Sequence, residues 1–204
     1  MKRLAIAMLA MLTMTAATAQ DNTWEQTEQK EVKGTVDQKY LAGAVPEVNG
    51  KVLFETTIKA PGKTKAQIYD IVATELKKMT KEANQLEQSR IISEDPEGHG
   101  QIAGSYQEWL VFKNKPLVLD RTRLFYNLLA TISDGELNLK MTRIYYLYEE
   151  ERDAVTYQAE EWITDRYGLN KKQNKLARVS GKFRRKTIDR KDYIFNKFSQ
   201  LLTK

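Results

Sequence analysis

Four groups of side chains in this 204-residue chain have types and spacings that could do chemistry. The single histidine, His99, lies between Gly98 and Gly100 with Asp95 and Glu97 close by, and an imidazole oriented by a carboxylate is the core of a general acid–base site. Nothing in the chain resembles a nucleophile elbow, so a lone titratable ring without an identified partner reads first as an exposed turn residue. The runs Glu149-Glu150-Glu151 and Glu160-Glu161 hold enough carboxylates for a glycoside-cleaving pair. Neighbours on a strand point to opposite faces, however, so one run cannot supply both members, and a solvated strand end is the simpler reading. With one histidine and no cysteine, thiol nucleophiles are excluded and a metal would have only oxygen ligands, without EF-hand spacing. No catalytic residue, metal or cofactor is therefore expected.

The third group is Gln107, Tyr126, Arg143 and Tyr145. The Asp134-Gly135 pair predicts a two-residue hairpin turn with Ser133 opposite Glu136. Counting back from it sets Leu128 against Met141, Tyr126 against Arg143 and Leu124 against Tyr145. A preceding hairpin turning at Lys115-Pro116 adds Ser105, Gln107 and Trp109 to that face. Leu137, Leu139, Met141 and Leu147 make it the face that helices should cover, while Glu108, Arg121, Arg123 and Asn127 fall on the side suited to water. Arg143 is thus expected to be a shielded cation that stacks on Tyr126, pairs with an internal carboxylate or binds an anionic ligand. The fourth group, Lys182, Arg184, Arg185 and Lys186, could rest on an anionic surface or form the wet side of a closing helix.

The elements that must position these groups follow from periodicity. Val52, Phe54, Thr56 and Ile58 alternate as a strand that ends at Pro61-Gly62. A helix follows, capped by Thr64, with Ile68, Ile71, Val72, Leu76 and Met79 on one face. Residues Arg90 to Glu94 precede three long runs, about Gly100–Phe112, Arg121–Ile132 and Glu136–Tyr148, that read as an antiparallel meander. A short strand is expected within Ala154–Trp162. The closing helix places Ile194, Phe195, Phe198, Leu201 and Leu202 on one side, where they can cover the sheet. The order predicts an α+β domain: a mostly antiparallel sheet with one face covered by helices.

Composition and charge bound the rest. Lys2 and Arg3, the apolar run to Met14 and the small-x-small Ala17-Thr18-Ala19 form an export signal, predicting a mature chain that starts near Gln20, periplasmic or extracellular. No cysteine follows the cleavage site to carry a lipid. Residues 20–45 read as a polar leader and 46–204 as one domain, without a membrane span in the mature chain. From Asp165 onward there are 13 Lys and Arg against 3 Asp and Glu, whereas Gln20–Trp162 has 18 against 24. An acidic body thus carries a basic tail.

The stretches KYLAGAVPEVNGKVLFETTI and NKKQNKLARVSGKFRRKTIDRKDYIF resemble an uncharacterised family of exported Gram-negative bacterial proteins, a domain of unknown function with a TBP-like fold. The resemblance covers Lys39 to Leu202. It implies a fold and a compartment, and no activity or site residues. DNA binding does not follow from the fold, since the sheet lies in the acidic body and an exported protein meets little DNA; no nucleic acid is expected. The expected role is an exported, non-catalytic binding or assembly-supporting domain whose partner is an anionic envelope surface or an envelope protein. The alternatives are a cell-envelope hydrolase and a carrier of a small amphipathic or anionic ligand held between the sheet and the terminal helix.

Overall fold

A computed structural model describes residues 37–204. The segments expected to be an export signal and the first part of a leader lie outside the described residues. A small ribbon, β1 (Glu47–Val48) and β2 (Lys51–Val52), leads into β3 (Phe54–Lys59). Helix α1 (Lys65–Met79) follows, then β4 (Arg90–Asp95), β5 (Gln101–Lys115), β6 (Val118–Ser133), β7 (Glu136–Tyr148) and β8 (Val155–Gln158). A short α2 (Asp165–Gly168) precedes the closing α3 (Gly181–Leu202). The main sheet is antiparallel in the order β3-β7-β6-β5-β4, with β8 also on β7, and the two long helices lie over one face. The chain is an α+β protein with an antiparallel sheet covered on one face by helices.

Each helix forms for a local reason. Thr64 caps α1 in a capping box with Gln67, and Ile68, Val72, Leu76 and Met79 turn their stripe onto the sheet. In α3, Phe183, Ile188, Ile194, Phe198 and Leu202 are buried on the same core, which Tyr106, Leu124, Tyr126, Met141 and Tyr146 meet from the strands. At about 25 cal/mol per Å² of apolar surface, these aromatic and branched side chains supply the main cohesion of the domain. Residues 37–45, which the sequence assigns to the leader, pack on the fold. Leu41 and Val45 are buried, and Lys39 and Tyr40 both bond Asp189 of α3.

Two bulges decide which side chains reach which face. The Asp134-Gly135 turn sets Ser133 against Glu136 and Leu128 against Met141 as expected, but Phe125 then pairs with Tyr145 and Asn127 with Thr142. Arg143 and Ile144 both oppose Tyr126, and Arg143 takes φ 52°, the left-handed conformation of a bulge residue. Side chains past the bulge change faces. Arg143 is therefore exposed, Tyr145 lies on the uncovered face and Tyr146 is buried, which overturns the expected shielding of Arg143. The first hairpin turns at Pro116-Leu117, and a second bulge at Phe112 leaves Gln107 opposite Phe125 and Trp109 opposite Arg123. This moves Gln107 and Trp109 to the uncovered face and brings Glu108, expected in water, into the core.

Candidate functional site

The covered face does contain a guanidinium beside Tyr126, but it comes from α3. Arg190 is fully buried; its Nε donates to Glu108 Oε1 at 2.8 Å and its Nη2 to Glu82 Oε2 at 2.7 Å. Tyr126 Oη lies 3.5 Å from the same Nη2, and the Tyr126 ring stacks on Tyr106 at 5.3 Å. Glu108 also accepts from Asn84 at 2.9 Å and from Gln85. Burial lifts the Glu108 carboxyl to about 7 against the pull of Arg190. For Glu82, burial pushes upward, but Arg190 and Lys197 outweigh it and hold the carboxyl below its usual value. A buried cation bonded to two carboxylates, one of which also takes two amide donors, is a structural network, and it pins α3 to β5.

The basic run at the start of α3 divides by residue. Arg184 is buried: its Nε donates to the Tyr40 carbonyl, Nη1 to that of Ile163, and Nη2 to that of Leu41 and to Asp165, all within 2.6–2.7 Å. Gly168 makes room for it, because a Cβ there would meet Arg184 Cδ at 2.8 Å and the Ile163 carbonyl oxygen at 2.7 Å. Arg184 thus clasps the leader to the helix and cannot reach an external surface. Lys182 donates to Asp120 at 2.7 Å and to Tyr148 Oη at 3.0 Å, and its ammonium stands 4.5 Å from the Phe112 ring centroid. Burial lowers its pKa, and the Asp120 and Tyr148 bonds more than offset that, so it is raised. Arg185 lies 5.6 Å from the Tyr40 ring centroid, and both it and Lys186 are half-buried.

The uncovered face carries a different arrangement. Trp109, Arg123 and Leu147 form one cross-strand row, and Gln107, Phe125 and Tyr145 the next. The Arg121 guanidinium lies 3.8 Å from the Trp109 ring centroid, with Arg123 at 5.6 Å. Phe125 and Tyr145 stack at 4.2 Å, nearly parallel. All of these side chains are half-exposed. A groove of about 310 Å³ opens at the end of this face, lined by Trp109, Leu119, Arg121, Leu147, Glu149 and Arg152. Of the four residues expected to share one pocket, Gln107 and Tyr145 lie together here, Tyr126 lies on the opposite face and Arg143 stands exposed on the bulge. Arg121 and Arg123 lie on the uncovered side as expected, whereas Trp109 joins them only because of the bulge at Phe112, so the group did not read as a site. The signal available in the sequence was their own alternation, Arg121-x-Arg123-x-Phe125.

The remaining candidates are simpler. Asp95 accepts the backbone N–H groups of Gly98 and His99, and these bonds hold its carboxyl below the usual range and shape the turn. Glu150 pairs with Arg123 at 2.7 Å and Glu151 with Arg121 at 3.4 Å, while Glu160 accepts from the Val52 N–H. Among the described residues no group of three or more His, Cys, Asp or Glu could hold a metal ion.

Residues 54–147, from β3 nearly to the end of β7, match the family model of a domain of unknown function (DUF4468) with TBP-like fold. The chain is similar to a solved DUF4468 family protein from Bacteroides ovatus ATCC 8483, at 42% identity and a TM-score of 0.75, over 82% of this chain and 95% of that one. This chain belongs to the DUF4468 family. A TBP-like protein from Parabacteroides distasonis ATCC 8503 shares its fold, at 21% identity and a TM-score of 0.62, over 78% of this chain and 96% of that one. No curated protein matches. The matched segment holds the aromatic and guanidinium rows of the uncovered face, whereas α3, with Arg184 and Arg190, lies beyond it.

Proposed function

We propose that the chain is an exported, non-catalytic binding domain that docks a protein partner through the uncovered face of its sheet. One observation carries the reading: half-exposed Trp109, Phe125 and Tyr145 stand interleaved with Arg121 and Arg123 on a sheet face over which no described helix lies. Tryptophan, tyrosine and arginine are the residue types that carry most of the energy at protein interfaces, and a rigid sheet presents them at low entropic cost. The guanidinium groups favour a partner surface that offers carboxylates beside apolar side chains. Export is supported by the Lys2-Arg3 pair, the apolar run and the Ala17-Thr18-Ala19 site. A carrier holding its ligand between the sheet and α3 would have to displace Phe183, Ile194 and Phe198 from full burial.

The test is a photo-reactive residue placed in living cells at Phe125 or, on the exposed side of α3, at Asn196. A discrete protein adduct is expected from position 125 and none from 196, on a chain whose N-terminus is Gln20. Equal labelling at both positions would refute the docking face, and a chain beginning at Met1 in the membrane pellet would refute export.

A further inference from the structure

Leu117 occupies the tip of the β5–β6 hairpin with its side chain fully exposed, and its backbone φ is 64°. Pro116 followed by a residue of positive φ is the pattern of a type II turn, in which glycine or asparagine fits without strain and leucine does not. Glycine or asparagine would also present less apolar surface to water. The chain keeps a residue that is unfavourable on both counts, and it continues the exposed apolar surface with Val118 and Leu119.

The tip also stands away from the rest of the sheet. Pairing of β6 with β7 ends at Thr122 and Tyr148, so the pairs Lys113–Asp120, Asn114–Leu119 and Lys115–Val118 form a two-stranded ribbon beyond it. Four residues at a strand's rise give it a reach of roughly 13 Å. The charges at its base are neutralised: Asp120 by Lys182, Arg121 by Glu151 and Arg123 by Glu150. The loop beside it, Glu149–Asp153, adds exposed Glu149, Arg152 and Asp153 at the level of the base. Exposed Lys113 sits nearer the tip, four residues before Leu117 in the chain.

We propose that this hairpin tip is a membrane-surface anchor that inserts Leu117, Val118 and Leu119 below the phosphates of an anionic bilayer while Lys113 lies among the headgroups. A convex apolar point on a ribbon fits a soft phase, and its reach matches the roughly 5–10 Å to which interfacial elements sink. Lysine stems lie along apolar surface while their ammonium groups stay with the phosphates. This anchor shares Leu119 with the groove at the end of the uncovered face, but it does not depend on the function proposed for that face.

The experiment is flotation of the native, cell-processed protein with vesicles of equal parts phosphatidylcholine and phosphatidylglycerol, at low and high salt. The wild type is expected to float, and less so at high salt or with phosphatidylcholine alone. Leu117→Gly should weaken binding about tenfold or more, the factor for keeping one leucine out of an apolar phase, while melting at or above the wild-type temperature. Lys113→Gln should weaken it about fivefold. The proposal falls if the wild type stays at the bottom of the gradient, if Leu117→Gly floats undiminished, or if that variant melts lower because Leu117 packs against the fold. It falls equally if Leu117→Gly abolishes self-association of a protein that never binds vesicles, which would make a second copy the partner.

Discussion

On the covered side of the sheet, Arg190 and Arg184 of α3 are fully buried, and carboxylates and backbone carbonyls accept from them. On the uncovered face, Arg121 and Arg123 lie across the ring of Trp109, half in solvent, with one glutamate each. The same side-chain type has two tasks. Under α3 it fixes one packing arrangement, since a buried cation tolerates only a geometry that satisfies it. On the open side its desolvation is incomplete, so a partner that supplies carboxylates can still gain from it. The domain therefore spends its interior charge on uniqueness and leaves its surface guanidinium groups available.

The largest effect should come from breaking the covered side. Arg190→Met leaves Glu108 buried opposite an apolar side chain and should cost about 3–5 kcal/mol in urea denaturation. Pairing it with Glu108→Leu should recover most of that loss, because removing both charges also removes the unpaired one. If the double variant is no more stable than the single, Glu108 and Arg190 are not an energetic pair.

The second comparison sets one aromatic residue from each face against the other. Phe183 is fully buried with Phe112, Tyr146, Tyr148 and Trp162 around it, so Phe183→Ala should cost about 3–5 kcal/mol. Phe125 is half-exposed, stacked on Tyr145 with the Arg123 guanidinium 5.9 Å from its ring centroid, and Phe125→Ala should cost about 1 kcal/mol. Melting curves decide it: equal losses would mean that the uncovered face is a second core.

How far the sequence could be read depended on where the strands are regular. The capping box at Thr64, the α1 stripe, the Asp134-Gly135 register and the covering role of Phe198 rest on local patterns that the tertiary fold leaves intact. The site residues were legible only up to the first bulge. An inserted residue shifts every later side chain to the other face, and nothing in Thr142-Arg143-Ile144 marks the insertion, since the bulge residue is not a glycine. Placing Glu108 in water followed from the unseen bulge at Phe112, because moving the turn by one residue shifts partners by two and leaves each side chain on its face. Its partner Arg190 lies 82 positions away, beyond the reach of any local pattern. A shielded arginine at Tyr126 was nonetheless a sound physical expectation, and α3 supplies it in place of β7.

That bulge offers a smaller test. Arg143 holds a left-handed conformation that glycine adopts freely and β-branched residues resist. Arg143→Gly should be neutral to slightly stabilising, by less than about 1 kcal/mol, and Arg143→Val should lose about 1 kcal/mol or more. The opposite order in the urea midpoints would place position 143 in ordinary strand geometry and restore the unbroken register.

The finest distinction between the faces is their response to pH. Glu108 is held in the folded protein at a pKa of about 7, above the value near 4.3 that a glutamate has in an unfolded chain. Between these two values the folded state holds a proton that the unfolded state has released, so this group makes stability fall as pH rises from about 4.5 to 7. Glu82 acts in the opposite sense and in a lower window. Its carboxyl is held below the usual value, so its contribution is present above about pH 4.5 and is lost as the pH falls further. Glu108→Gln mimics the protonated form, and its Oε1 can still accept from Arg190. The variant should therefore melt close to wild type at pH 5 and show a flatter decline toward pH 7. A wild-type decline that survives in Glu108→Gln belongs to another group, and a decline absent from both proteins would mean that Arg190 keeps Glu108 ionised throughout this range.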